Sequence, residues 1–479
     1  MTQQVQPPPA GTAAVPEADK AFRVGTLKYT KYGLISLFLW LLWGDLVYTL
    51  MEAVMPKVLP LKMKALGAAW LLPIFATTIV ALMNFVVCPI ASFKSDRYRS
   101  RLGRRIPYLL WSTPIVSVFL ILFGLSDIIG HSLYGPMSRL LGFQITENTM
   151  VVALLGLCIV GWRFGDSFTS TIYCYLFNDV VPEKVITRFM ALNSIVATAT
   201  GMAYSHWIFP RSMEYFPHVF VGAGLVYLVG FTLMCLKVKE GQYPPPPENI
   251  DKRTGFISSV KTYAKECFSH KFYWYFFLMN TFFAVCWLSG TFRVLRDNNS
   301  LKVDLQTLGD IDVITGFVVL VILYPLGWIA DKLNPIRVFV IMGIIMLINP
   351  ISQCAFIFWD FGPRGNTLFL LFQGLLVLPF DTLQGTVERP MYMRLLPKDR
   401  FGQFCSANGT IRALARILMS LLVAPTWWLL IKYVGEDTAY RLYPVWTVAF
   451  YVPGMIFMLL LYREFKRMGG TQSYVPPEA

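Results

Sequence analysis

Apolar residues in this chain run in long blocks separated by short polar turns, which is neither the alternation of half-buried strands nor the one-sided stripe of surface helices. Blocks of about 20 residues are long enough to cross roughly 30 Å of hydrocarbon as α-helices. Twelve such spans are predicted, at 33–55, 65–93, 106–127, 149–178, 187–209 and 216–238, then at 272–292, 308–331, 336–358, 367–389, 403–431 and 442–463. Residues 239–271 hold Pro244 to Pro247 followed by Lys252, Arg253, Lys261 and Lys265, and are too polar to span. They predict a linker, with a short amphipathic helix near 254–267 on the membrane surface. The predicted fold class is an all-α integral membrane protein, with six helices in 33–238 and six in 272–463. Residues 1–32, rich in Pro, Ala and Gln, are expected to form a disordered tail, and residues 464–479 a second, C-terminal tail.

Composition supports the membrane reading. Hydrophobic residues make up 55% and charged residues 15% of the 479, with a mean hydropathy of +0.53, where a soluble domain carries about 25% charged residues. Of the 42 Lys and Arg, 28 fall on the side that carries both termini and the linker, and 11 on the other; Arg163, Arg412 and Arg416 lie inside spans. That asymmetry predicts that both termini are cytoplasmic. It also assigns the net charge of +14 to lipid headgroups rather than to nucleic acid. Lys57, Lys62 and Lys64, after span one, run against the rule. Eight scattered Cys, four His and the lack of any phosphate-binding glycine loop give no sign of a metal, a cofactor or enzymatic chemistry.

The halves repeat. A shift of 215 lays span four on span ten, so that Asp166 meets Asp381, Thr171 meets Thr386, Pro182 meets Pro397, Phe189 meets Phe404 and Asn193 meets Asn408. Internal repeats of this kind are a mark of secondary transporters.

The turn after span two reads SDRYRSRLGRRIPY from Ser95 to Tyr108. Asp96 at a helix end, followed by Arg97, Arg101, Arg104 and Arg105 around Gly103, suits an ion-pair latch between helices. Gly327, Asp331 and Lys332 form a weaker echo after span eight. These strings resemble the loop motif of the major facilitator superfamily. The extra Arg residues and Pro107 resemble its glycoside–pentoside–hexuronide:cation symporters and the related sucrose transporters; Ser92 departs from the motif, standing where it usually has Gly. The resemblance implies two bundles rocking about a central cavity lined by the first, fourth, seventh and tenth helices. It also implies a sugar cargo and a plasma membrane, expected to be a bacterial inner membrane. Sodium-coupled members use acids in the second helix; residues 65–93 contain none, so a proton is the expected coupling ion.

Ionisable residues in hydrocarbon cost at least ~2.5 kcal/mol by insertion scales, so each is a functional candidate. Span one carries Asp45 and Glu52, span four Arg163 and Asp166, and span ten Asp381, Gln384 and Glu388. Asp166 beside Arg163 is the preferred proton site and Asp381 the second, since desolvation disfavours a charged carboxylate and a guanidinium favours it. Trp40, Trp43, Trp162, Tyr173, Tyr275 and Trp287 are candidate sugar-stacking rings. Asn84, Ser167, Ser170, Asn193, Asn280 and Asn408 are candidate hydroxyl partners, or else bonds between helices. The expected function is proton symport of a sugar or glycoside by a monomer in the lipid bilayer. The alternatives are a carrier or exporter of an organic acid, a peptidoglycan fragment or a drug, and a membrane scaffold or enzyme.

Overall fold

A chain in hydrocarbon must satisfy every backbone N–H and C=O internally, so the apolar blocks form helices. The computed structural model describes residues 23–24, 26–141, 146–241, 268, 270–332, 334–397 and 401–477. In order, the first six spans are Lys31–Ala65, Ile79–Arg97, Ile106–Gly124, Glu147–Val180, Glu183–Ala203 and Phe216–Lys237. The second six are Lys271–Cys286, Leu305–Lys332, Pro335–Gln353, Gly362–Leu395, Phe401–Val434 and Tyr443–Arg467. Eleven helices of the described residues are long and apolar enough to cross a membrane. The proposed surface helix at 254–267 lies outside the described residues.

Local chemistry sets several helix starts. The side chains of Thr30, Thr146 and Asn334 accept from Gly33 N (3.1 Å), Thr149 N (3.3 Å) and Ile336 N (3.0 Å), covering amides that a helix start leaves without partners. Asp304 does the same for Thr307 N at 2.8 Å, and that bond holds its carboxyl below the ordinary range.

Three features differ from the sequence reading. Span one continues to Ala65 despite Pro56 and Pro60, because Val58, Leu59, Leu61 and Met63 are buried against neighbours. Span seven is broken: its α-helix ends at Cys286, a 3₁₀ segment covers Trp287–Phe292, and a π turn covers Arg296–Ser300. A further helix, Ser126–Leu141, joins spans three and four where a loop was expected.

The repeat appears in the backbone. Span four and span ten are both 34 residues long, and both their ends are displaced by 215. Asp166 and Asp381 therefore occupy the same helical position.

The larger hydrophobic core contains most of the first half together with Val285, Leu288, Phe292, Leu295, Val423, Trp427, Tyr440 and Tyr443. The two halves thus share a core at the end away from the linker. The second core, around Phe272, Phe276, Val387 and Phe404, belongs to the second half alone.

At the linker end, the turn between spans two and three is tied by partners that the motif does not contain. Asp179, at the end of span four, accepts from Arg104 Nε (2.9 Å), Arg104 Nη2 (2.6 Å) and Arg105 Nε (3.0 Å). Glu240, beyond span six, accepts from the backbone N–H groups of Arg104 (2.9 Å), Arg105 (2.8 Å) and Ile106 (2.6 Å). It caps span three from outside. Burial pushes its carboxyl up, and the three N–H groups draw it back. Gly103 sits at φ +108°, and a Cβ there would strike the Glu240 side chain. Arg101 is exposed. Asp96, Arg97, Gly327, Asp331 and Lys332 lie in helices, but their side chains are outside the described residues.

Glu240→Ala is expected to lower stability by ~1–2 kcal/mol, the usual cost of a lost helix cap. Gly103→Ala should lower it as well. Thermal melts in detergent, with Lys239→Ala as the control, would show both; an unchanged Glu240→Ala midpoint would contradict the capping role.

Candidate functional site

Spans one, four and six pack together, and polar groups fix their register. Tyr173 OH donates to Leu41 O at 2.8 Å, and Trp43 Nε1 donates to Gly230 O at 3.2 Å. This places Tyr48 opposite Asp166. The Asp166 carboxylate is only 4% exposed; it accepts from Tyr48 OH at 2.9 Å and from Arg163 Nη1 at 3.1 Å. The same Nη1 lies 3.4 Å from Glu52 Oε1, so one guanidinium serves two carboxylates. That guanidinium is 4.1 Å from the ring of Trp162. Trp162 in turn donates from Nε1 to Met51 Sδ at 3.1 Å.

Arg163 and Trp162 line a cavity of about 280 Å³ between the halves. Pro56 and Pro60 of span one, Phe75 at the start of span two, and Gly290, Thr291 and Val294 of broken span seven form its other walls. The unwound stretch of span seven brings main chain close to this space. Non-helical backbone at membrane depth is tolerated where protein buries it or where it lines a cavity.

A second polar cluster joins spans seven, ten and eleven. The Tyr392 hydroxyl lies 2.6 Å from Asn280 Oδ1 and also reaches Glu388, and its single proton serves one of them at a time. Arg412 Nη1 is 3.5 Å from Glu388 Oε1. Arg416 Nε is 3.4 Å from Ala284 O. Asn193 and Asn408, equivalent under the repeat, both hold Oδ1 buried without a partner.

The structure thus gathers Glu52, Arg163, Asp166 and Trp162 in one group and Asn280 and Glu388 in another. Other candidates stand apart. Asp45 is buried near the first group, and its Oδ2 has no partner. Asp381 is exposed and Gln384 half-buried. Trp40 and Trp43 line a separate groove of about 570 Å³ with Tyr32, Leu39 and Leu233, on the outer side of spans one and six. Their apolar surroundings gave no hint of that orientation. Tyr173 ties helices together, Tyr275 packs on Phe457, and Trp287 is exposed beside Tyr451. Tyr48, Tyr392 and Arg412 were missed as site residues. Tyr48 lies between Asp45 and Glu52 at spacings of three and four, which puts it on the same helical face.

The end away from the linker is closed by ion pairs and hydrogen bonds between the halves. Lys57 Nζ of span one lies 2.5 Å from Asp312 Oδ2 of span eight and 2.5 Å from Ser205 Oγ. His206 Nδ1 lies 2.7 Å from Asp310 Oδ1, and Lys64 Nζ is 3.7 Å from Glu436. Thr78, in the π turn just before span two, hydrogen-bonds Ser420 of span eleven at the same boundary. Lys62 pairs within the first half, with Asp127. Each lysine that broke the charge rule therefore has an acidic partner.

Two helical bundles joined at one end, with a guanidinium shared by two carboxylates at the wall of an inter-bundle cavity, are the architecture of a membrane carrier. Residues 164–420, more than half of the chain, match the Major Facilitator Superfamily, and the chain belongs to that family. It is a secondary transporter. Among solved structures it is similar to a bacterial homologue of the iron transporter ferroportin in the inward-facing state (TM-score 0.62, 14% identity, 89% of this chain and 99% of that one). It is also similar to the nucleoside transporter NupG (TM-score 0.60, 11% identity, 89% and 100%). A D-xylose–proton symporter shares the fold as well (TM-score 0.56, 13% identity, 88% and 97%).

Lys57→Met is expected to loosen the closed end. An impermeant maleimide added from the side opposite the linker should then label Thr291→Cys faster in the Lys57→Met background than in the parent. Asp312→Asn should have the same effect. Equal labelling in all three would show that these pairs do not hold the end closed.

Proposed function

We propose that this carrier is a proton symporter of a sugar or glycoside, of the glycoside–pentoside–hexuronide:cation symporter branch. The observation that carries the reading is the single Arg163 guanidinium shared by Asp166 and Glu52 on the wall of the inter-half cavity. Two carboxylates and one guanidinium carry one uncompensated negative charge, which in a low-dielectric wall is relieved by taking up one proton. Tyr48 donates to the Asp166 carboxylate and helps to hold it charged. If Arg163 moves towards Glu52 as the halves rock, Asp166 loses its counter-charge and takes the proton. If it moves back, the proton leaves. Symport follows when loaded solute and proton favour the same rocking motion.

The sugar assignment is supported by the Ser95–Tyr108 turn and by the fold shared with a D-xylose–proton symporter. In this reading the chain works as a monomer in a bacterial inner membrane, with both termini cytoplasmic. The closed end is then the outer one, and the conformation is open inwards. Asp179 and Glu240 tie Arg104 and Arg105 on the cytoplasmic side, where a latch moves with the bundles.

In proteoliposomes, Asp166→Asn should lose accumulation driven by a pH gradient while keeping substrate counterflow. Glu52→Gln should weaken the pH dependence and keep exchange. Unchanged gradient-driven uptake in Asp166→Asn would refute the proton site, and a panel of sugars and glycosides that neither move nor compete would refute the cargo.

A further inference from the structure

The groove of about 570 Å³ on the outer side of spans one and six takes no part in the proton mechanism or in the closed end. The two helices that form it run antiparallel. Trp43 Nε1 donates to Gly230 O, and Gly241 abuts Thr26 at the linker end. A Cβ at Gly230 would crowd Val47 and the Trp43 indole, so the bare backbone is what admits the ring. With Gly230 level with Trp43 and both helices rising about 1.5 Å per residue, Leu233 comes level with Trp40 and Lys237 with Ser36. The groove therefore changes character with depth. Leu39, Trp40, Trp43 and Leu233 line its inner part, and Tyr32, Ile35 and Ser36 line its linker end.

Two cations flank that end. Lys31 lies one turn before Ile35, and Lys237 lies one turn beyond Leu233. Both are exposed, and neither pairs with a carboxylate among the described residues. The Lys237 ammonium sits 5.9 Å from the centre of the Trp40 ring, which ties it to the groove wall. Lys31 stands at the start of its helix, where the helix dipole opposes a cation, so helix stability does not account for it. Along the membrane normal the order is thus ammonium groups and hydroxyls first, then hydrocarbon and indole. That is the order of an anionic phospholipid, with its phosphate at the interface and its acyl chain further in. A soluble anion would leave the apolar walls unused. A second copy of this chain, packed about a two-fold axis, would set the same lysines against each other.

We propose that this groove binds an anionic phospholipid of the linker-side leaflet, its phosphate between Lys31 and Lys237 and one acyl chain along Leu39, Trp40 and Leu233 as far as Trp43. Both helices belong to the first half, so the site stays intact while the halves rock. The proposal is independent of the cargo and of the coupling ion.

Native mass spectrometry of the full chain in detergent, titrated with phosphatidylglycerol or with phosphatidylcholine of the same acyl chains, reads the affinity for the first bound lipid. Phosphatidylglycerol should bind roughly tenfold or more tightly than phosphatidylcholine. Lys31→Gln and Lys237→Gln should each weaken it roughly fivefold and leave phosphatidylcholine unchanged, the usual factor for one basic residue at an anionic headgroup. Leu233→Trp, which fills the groove and keeps both charges, should weaken phosphatidylglycerol as well. Lys466, another exposed lysine over a ring, stands at the same end of the second half, and Lys466→Gln should change nothing. Equal binding of the two lipids overturns the proposal, as does full retention in the Lys31→Gln/Lys237→Gln double variant. An equal loss in Lys466→Gln would trace the preference to general surface charge and overturn it too. Displacement of the lipid by glycerol 3-phosphate at equal concentration would show that the apolar walls contribute nothing, which also contradicts it. A disulfide formed between Ser36→Cys copies in vesicles would give this face to a second copy of the chain instead.

Discussion

A charge placed in hydrocarbon must be met by the protein itself, and the interior of this carrier is arranged around that requirement. Asp166 reaches Tyr48 and Arg163, Arg163 also reaches Glu52, and Glu388 reaches Tyr392 and Arg412. These contacts fix how spans one and four, and spans seven, ten and eleven, face one another. They are also shared contacts, in which one guanidinium or one hydroxyl serves two acceptors. Shared partners can be redistributed without breaking the bundle, as a moving carrier requires.

The closed end uses a different balance. Lys57 and Asp312 are about a quarter and a third exposed, and pairs of that kind contribute at most about 1 kcal/mol each. The apolar core that continues into Phe292, Trp427 and Tyr440 supplies the larger share of the attraction. Weak, water-reachable ion pairs over a limited apolar contact can part and re-form, whereas a fully buried pair would leave stranded charges on opening. Breaks in the regular helices sit close to the same level, at the π turn Ile74–Thr78 before span two and in the 3₁₀ segment of span seven. They allow the ends to meet without bending the whole helices.

Much of the architecture was legible in the sequence, because a bilayer dictates helix length and the repeat fixes correspondence. The offset of 215, found from five identities, reappears at both ends of spans four and ten. Arg163 and Asp166, three apart, do pair. Rotation about a helix axis was not legible. In a span that is apolar all round, hydropathy does not separate the lipid face from the protein face, so Trp43 was read as a cavity residue although it lies on the outside. Partners distant in sequence were equally hidden. Asp179 and Glu240 lie about 75 and 135 positions from the arginines they bind. Lys57 read as an exception to a charge rule until Asp312, 255 positions away, explained it.

The proposed proton symport requires solute and proton to cross together. Proteoliposomes loaded with a pH-sensitive dye and held without an imposed gradient test it most directly. Adding the transported sugar outside should acidify the lumen at a rate proportional to uptake, and a protonophore should remove the signal. Uptake of the same sugar at the same rate with no change in lumenal pH would show that the carrier moves its solute without a proton.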